Sequence, residues 1–378
     1  MTAGQGCAIA GVGTTAFGKT PGRTTYDLNV EAIRAAVADA GLRREDVDGV
    51  VCKYPTSGFT SLYAAKVAAM AGIEPLVCAT IDQAGATAIG AIQYAVMAIE
   101  AGLATTIVCC YGDNPRTGST GTYSRPRGTD AAYGAFGVAW GYGMLAQRHM
   151  LEYGTKPEHL AAVAIACRKH GAMNPAAQLA GKPLTLAAYF DGRYIAEPLR
   201  RDDCCLISDG GAAVVVTTLE RARTLRRKPV RVLGMGQSHP AAEVQDRPSL
   251  TVTGAHRSGE AAFRMAGVTP RDIDVAQLYD CYTITLLTSL EDYGFCGKGE
   301  AGAFVEGGRI ELGGALPVNT AGGLLAETGM PGLQLVVEGV RQLRGEGGDR
   351  QVPDAELCLV SGQGGIMHTH STLILGAA

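Results

Sequence analysis

The chain has 378 residues, 47% of them hydrophobic, and a formal net charge of −3 from mixed signs. This is ample for a large core in two or three domains, and it gives no ground for nucleic acid or an anionic membrane as a partner. Eleven scattered cysteines without a CxxC pair argue against a metal site or redox dithiol within the chain and suit the buried thiols of a cytoplasmic protein, and the N-terminus shows no signal peptide.

Gly6–Val12 reads as a first strand. The Gly11-Val12-Gly13 turn after it lacks the third glycine and the strand–helix spacing of a dinucleotide fingerprint. Asp27–Ala40 sets Val30, Ile33, Val37 and Ala40 on one stripe and stops at Gly41, an amphipathic helix. Strand Val47–Cys52, helix Ser61–Ala71 and strand Leu76–Ile81 follow. From Gln83 to Ile99 no side chain is charged and every face is small or apolar. Such a helix belongs in the middle of a large soluble domain, and this one is too short and too rich in Ala and Gly for a membrane span. It should begin near Gly85 and lead into strand Thr105–Tyr111. Several enzyme families place a nucleophile at such a strand–turn–helix junction, where the helix N-terminus favours negative charge. Gly85 has none to offer.

Asp113–Gly143 is a long excursion rich in Gly, Thr, Tyr and Arg, of a length that points to function. Helices Gly143–Tyr153 and His159–His170, an irregular stretch Asn174–Pro198 and strand Ala212–Thr217 lead to the basic Leu219–Arg227. The second half opens with strand Val230–Met235. Its Ala266-Gly267-Val268-Thr269-Pro270-Arg271-Asp272-Ile273-Asp274 repeats Ala40-Gly41-Leu42-Arg43-Arg44-Glu45-Asp46-Val47-Asp48, each copy a helix end, a short loop and a strand start. Strand Val275–Tyr279, helices Thr283–Tyr293 and Val336–Leu343, and strands Glu356–Ser361 and His370–Leu375 complete the chain. The expectation is an α/β layered fold of two duplicated halves, 1–227 (with an excursion over 113–200) and 228–378, with the uncharged helix between two sheets.

Four segments carry a resemblance: Tyr279-Asp280-Cys281-Tyr282-Thr283, Leu290 to Glu300 (reading LEDYGFCGKGE), Leu316 to Gly323 (LPVNTAGG) and Val340 to Gly345 (VRQLRG). With them the chain resembles, nearly end to end, the thiolase superfamily and within it the sterol-carrier or lipid-transfer type. The resemblance implies a five-layer αβαβα fold, a homodimer, and a coenzyme A thioester as substrate with no covalently bound cofactor. It also shows what is missing. The family's nucleophilic Cys falls on Gly85, its Gly-His-Pro histidine on Gly329 or Met330, its second Cys on Ser361, and its Asn-Glu-Ala-Phe segment reads Tyr279-Asp280-Cys281-Tyr282. One branch that lacks the nucleophile, the steroid side-chain aldolases, cleaves β-hydroxyacyl-CoA by retro-aldol reaction. It works with a small OB-fold, zinc-binding partner. That branch is similar here in Leu278-Tyr279-Asp280, Gly294 to Glu300 and Ile195 to Arg200; of its two tyrosines one matches Tyr279 and the other falls on Gly329.

A retro-aldol cleavage needs a base for the β-hydroxyl and donors for the thioester enolate. Tyr279 is the expected catalytic phenol, with Asp280 as the base beside it or as a helix cap. Cys281 is the fallback nucleophile. His368 and His370, two apart on a strand, would share a face and supply a base or donor. Gly364 and Gly365 fit backbone donors to a thioester oxygen, Gly85 and Asn319 line the substrate site, and Arg125 and Arg127 can meet a CoA phosphate. Retro-aldol lysis, acyl transfer on a rearranged nucleophile such as Cys281, and a non-catalytic subunit of a complex are the three functions open to this sequence.

Overall fold

A computed structural model describes residues 6–58, 60–118, 132, 134–135 and 137–378. Arg125 and Arg127 lie outside the described residues. The strands are β1 (Cys7–Thr14), β2 (Gly49–Lys53), β3 (Val77–Ile81), β4 (Thr106–Asp113), β5 (Tyr194–Ala196), β6 (Leu199–Arg200), β7 (Gly210–Thr218), β8 (Val230–Ser238), β9 (Val275–Gln277), β10 (Leu357–Gly364) and β11 (Thr369–Ala377). Helices α1 (Thr25–Ala40), α2 (Tyr63–Ala71) and α3 (Thr87–Glu100) belong to the first half; Ala255–Ala266, Thr283–Asp292 and Leu333–Arg344 are the long helices of the second.

The same local construction occurs twice. α1 ends at Gly41 and the Ala255–Ala266 helix at Gly267, both in the left-handed region (φ 75° and 71°), where a side chain would be strained. A short 3-10 turn follows each, and its aspartate closes back on the backbone: Arg43 N donates to Asp46 Oδ2 (2.9 Å) and Thr269 N to Asp272 Oδ2 (2.7 Å). Both outer helices lie very close to their strands. A Cβ at Gly11 or Gly13 of β1 would overlap the backbone of α1 at Ala36, and one at Gly234 or Gly236 of β8 would overlap the carbonyls of Ala262 or Ser258. Gly11 and Gly13 therefore lie inside β1, not in a turn after it.

The sheet runs β3-β2-β4-β7-β1-β8-β11-β10-β9. Two separate sheets were expected; instead β1 meets β8 through two residue pairs, Ala8 with Arg231 and Ile9 with Val230. α3 packs on β2, β4 and β7 and also on β10 and β11, while the Leu333–Arg344 helix touches β9 and β10 as well as β1 and β7. These two helices form the middle layer between the halves of the sheet. α1 and α2 cover one outer face and Ala255–Ala266 the other, giving five layers. Strand β4 shows the alternation this demands: Ile107 and Cys109 join the inner core with Ile89 and Ile92, Val108 and Cys110 the outer core with Ile33 and Val67. Most of α3 is buried against these partners, as its charge-free sequence requires, and the stripe of Tyr94 and Met97 is exposed. It starts at Thr87, two residues after Gly85, because Ala84 (φ 50°) and Gly85 form a turn that Thr87 Oγ1 braces by accepting from Gln83 N (2.7 Å). Among the described residues no helix is long and apolar enough to cross a membrane.

Arg344, buried at the end of the inner helix, ties the halves together. Its guanidinium donates to Asp39 Oδ2 at the end of α1 (2.9 Å), to Ala10 O in β1 (2.9 Å) and to Lys228 O (3.0 Å). Arg344→Met is expected to lower stability by about 2–3 kcal/mol in urea unfolding, the scale of hydrogen bonds to charged groups. Arg344→Lys should not restore it, because a single ammonium nitrogen cannot reach three separated acceptors that Nε, Nη1 and Nη2 each serve.

Candidate active site

Beyond the carboxyl ends of β2, β9 and β10 lies a cavity of about 420 Å³. This is where α/β sheets place their ligand sites. One wall is Lys53 at the end of β2 with the Ala84–Gly85 turn. Against that turn lie Tyr279, Cys281 and Tyr282, the segment that leaves β9 and enters the Thr283–Asp292 helix. Gln363 and Gly364 end β10 and Gly365 follows; Tyr142, Cys204 to Ile207, Gly329 and Pro331 are also among the lining residues.

Tyr279 is held by its backbone. Its N–H donates to Ser361 Oγ (2.9 Å), and the preceding Leu278 is clamped by Asn319, whose Oδ1 accepts from Leu278 N (2.7 Å) and whose Nδ2 donates to Leu278 O (2.8 Å). The side chain, 7% exposed, lies between two glycines. A Cβ on Gly85 would overlap the Tyr279 hydroxyl and the Gln363 carbonyl oxygen and come 2.5 Å from Cζ of the ring; a Cβ on Gly332 would come 3.4 Å from Cε2. The phenol thus fills the volume that a side chain at 85 would need. Gly329 is equally closed, since a Cβ there would overlap the Leu206 carbonyl. No second tyrosine fits at that point.

Several sequence-selected residues are not on the cavity. Asp280 is buried and turned away. It accepts from Leu324 N (2.8 Å) and Leu325 N (3.3 Å), capping the short Gly323–Ala326 helix rather than the helix from Thr283, and burial raises its carboxyl to about 6 against those bonds. Neighbours on an extended segment point to opposite sides, so Tyr279 and Asp280 part company. Asn319 serves the Leu278 backbone and lines no part of the cavity. His368 and His370 do not share a strand face: His368 sits in the turn before β11, where Ile366 N donates to its Nδ1 (3.3 Å). His370 is buried beside Gly254, its ring nitrogens without hydrogen-bond partners among the described residues, and burial together with Arg247 lowers it to about 3. It is a neutral imidazole.

Cys281 does line the cavity. Gln363 Nε2 lies 2.8 Å from its Sγ, and burial pushes the thiol well up, so it stays protonated rather than becoming a nucleophilic thiolate. Four groups escaped the sequence reading. Gln363 also donates to Tyr142 Oη (2.9 Å), which donates to Gly365 O (2.6 Å) and stacks on Tyr282 with ring centroids 4.2 Å apart. Gln363 stood inside the already chosen Ser361–Gly365 segment and Tyr282 next to Cys281; Tyr142 lay in the excursion with no pattern to mark it. The fourth is Lys53, a charge ending an apolar strand, and the carboxyl end of a buried strand was the signal.

Two family models cover most of the chain: the thiolase N-terminal domain matches residues 7–183 and the thiolase C-terminal domain-like family residues 236–377. This chain belongs to the thiolase family. Among proteins similar to it is a 17-hydroxy-3-oxo-4-pregnene-20-carboxyl-CoA lyase from Mycobacterium tuberculosis, 37% identical over 91% of this chain and 93% of the relative. A steroid side-chain-cleaving aldolase from Thermomonospora curvata is 36% identical over 98% and 97%. The solved structure of the Ltp2-ChsH2(DUF35) aldolase superposes with a TM-score of 0.91 at 37% identity, covering 100% of this chain and 99% of that one. The glycine on which the resemblance sets the family's nucleophile, Gly85, packs against the ring of Tyr279.

Gly85→Ala is expected to destabilise the protein by about 1–3 kcal/mol, the range for overpacking. In a Tyr279→Ala background the same change should cost at least ~1 kcal/mol less, the coupling of residues in contact. Equal costs in both backgrounds, read from urea midpoints, would show that the phenol does not occupy that volume.

Proposed function

We propose that this chain is a carbon–carbon lyase that cleaves β-hydroxyacyl-CoA thioesters by retro-aldol reaction, with Tyr279 as its acid. The observation that carries the reading is the exclusion between Tyr279 and any side chain at 85: the site offers a phenol where acyl transfer would need a thiolate. The lyase and aldolase names of relatives similar over nearly the whole chain support it. In the reaction the β-hydroxyl loses its proton, the bond between the α and β carbons breaks, the β carbon becomes a carbonyl, and the electron pair moves into the thioester enolate. A phenol is a hydrogen-bond donor. Tyr279 stabilises the enolate oxygen and delivers a proton to the α carbon. Gly364 and Gly365 border the space for the thioester, and Arg125 and Arg127 remain candidates for the CoA phosphates. Acyl transfer through Cys281 is the less favoured reading, because burial keeps that thiol protonated.

The rest of the proposal concerns assembly. β3 is a sheet edge, and Leu76 just before it is exposed, as are Met97 of α3 and Leu103 after it. This apolar edge suits a homodimer of a cytoplasmic enzyme. A small OB-fold, zinc-binding subunit, as in the aldolase branch that the sequence resembles, would complete the acyl-CoA site; the two-component name of the Ltp2-ChsH2(DUF35) aldolase supports a second subunit.

The chain, alone and with such a subunit, should be incubated with 17-hydroxy-3-oxo-4-pregnene-20-carboxyl-CoA and with a β-ketoacyl-CoA, with and without free CoA. Cleavage of the hydroxy thioester without CoA consumption is expected; CoA-dependent thiolysis of the keto thioester would refute the reading. Tyr279→Phe should fold normally and lose about 10²-fold or more in turnover, the size of an acid–base contribution. Near-full activity in that variant would remove Tyr279 from the mechanism.

A further inference from the structure

The lyase reading leaves one role empty. Tyr279 supplies a proton, and some group must take one from the β-hydroxyl. The residues favoured for it by sequence do not reach the cavity: Asp280 caps a helix, and neither His368 nor His370 lines the wall. Besides Tyr279, the described titratable groups that line it divide into two kinds. Burial raises Tyr142, Tyr282, Cys204, Cys205 and Cys281, so each holds its proton and none can accept one. Lys53 moves the other way. Its side chain is 5% exposed, and burial lowers the ammonium.

The surroundings of Lys53 are unlike those of a structural lysine. A buried ammonium is costly unless it is paired and hydrogen-bonded. Among the described residues its Nζ makes one hydrogen bond, to the adjoining Tyr54 O (3.1 Å), and lies 4.9 Å from the centre of the Tyr111 ring. Two carboxylates face it. Asp82 Oδ1 is 4.0 Å away on a largely exposed side chain. Asp113 is taken up by other donors: Thr56 N (2.6 Å), Thr56 Oγ1 (2.5 Å), Ser57 Oγ (2.6 Å), Tyr111 Oη (2.7 Å) and Asn114 N (2.8 Å). The amine therefore has bonding capacity to spare, on the wall of the cavity. Strand pairing fixes where: Lys53 is opposite Ile81, and the chain then turns through Ala84 and Gly85, the point that the Tyr279 hydroxyl meets.

Resting on the lyase reading, we propose that Lys53 is the second proton-transfer residue of this site, taking the β-hydroxyl proton while Tyr279 serves the enolate. The step balances. The hydroxyl proton passes to the Nζ lone pair, the carbon–carbon bond breaks with its electrons entering the enolate, and Tyr279 protonates the α carbon. The proton on Lys53 then returns through solvent to the phenolate, with no net gain or loss. Because the neutral amine is the active form, kcat/KM of the wild type should rise with pH through a limb below the ordinary lysine range.

The test uses the full chain with its second subunit and a panel of β-hydroxyacyl-CoA thioesters that includes the pregnene thioester above. Lys53→Arg keeps the charge but cannot give up its proton. It should lose about 10²-fold or more in kcat with KM little changed, and the pH limb should vanish. In Lys53→Ala, shown folded by circular dichroism, added small primary amines should restore turnover in proportion to their free-base concentration. Wild-type cleavage that Lys53→Arg retains, or a folded Lys53→Ala that no amine rescues, overturns the role and leaves the lyase reading standing. A loss confined to KM in Lys53→Met, with Lys53→Arg active, assigns Lys53 to anion binding and also overturns it. A wild type that cleaves none of the thioesters defeats the lyase reading itself, and this role with it.

Discussion

Two side chains cannot share the mouth of α3, and that exclusion organises the site. The turn at Ala84–Gly85 brings the backbone against the carbonyl of Gln363 on one side and the ring of Tyr279 on the other. Packing at interior density leaves no slack for an added methyl group. With glycine at 85 the phenol can stand at the head of the buried helix; with a cysteine there it would have to leave. The contact couples the halves of the molecule, because the turn belongs to the first half and Tyr279 and Gln363 to the second. The five-layer arrangement and the clamp of Asn319 on Leu278 hold the three together.

Burial then decides which groups can move protons. In a cavity of this size, lined by tyrosines, cysteines and glycines, desolvation holds thiols and phenols in their neutral forms and presses an ammonium toward its neutral form. The same force acts on Asp280, whose carboxyl is spent on the backbone of the Gly323–Ala326 helix. A site of neutral donors with one amine is suited to passing a proton from a hydroxyl to a carbon, and poorly suited to forming a thiolate.

The fold was largely legible in the sequence because its signals are local. The charge-free run of α3, the stripe of α1 and the doubled Ala-Gly loop each state a burial pattern that one period or one cap can satisfy. The strand pairing of β1 with β8 was not legible, since two residue pairs between distant segments leave no periodic trace. In the site, Tyr279 and Cys281 were found from a segment that carries the family resemblance, Gly85 from where the family's nucleophile falls, and Gly364 and Gly365 from the glycine run after Ser361, and all five line one cavity. Asp280 and Asn319 also lie in segments of the resemblance and point elsewhere, because alternation on an extended chain and a left-handed turn (φ 53° at Asn319) send their side chains into the backbone. Lys53, Tyr142 and Gln363 depend on which strand ends and helix faces meet, and that is a property of the assembled layers.

The central claim is that cleavage proceeds with no covalent acyl-enzyme, the thiol's place having passed to a phenol. Intact-protein mass spectrometry during turnover of a β-hydroxyacyl-CoA, quenched in acid within the first turnovers, tests it directly. The account predicts products accumulating while the chain keeps its unmodified mass. A chain gaining the mass of the acyl group, mapped by peptide digestion to Cys281 or any other cysteine, would contradict it.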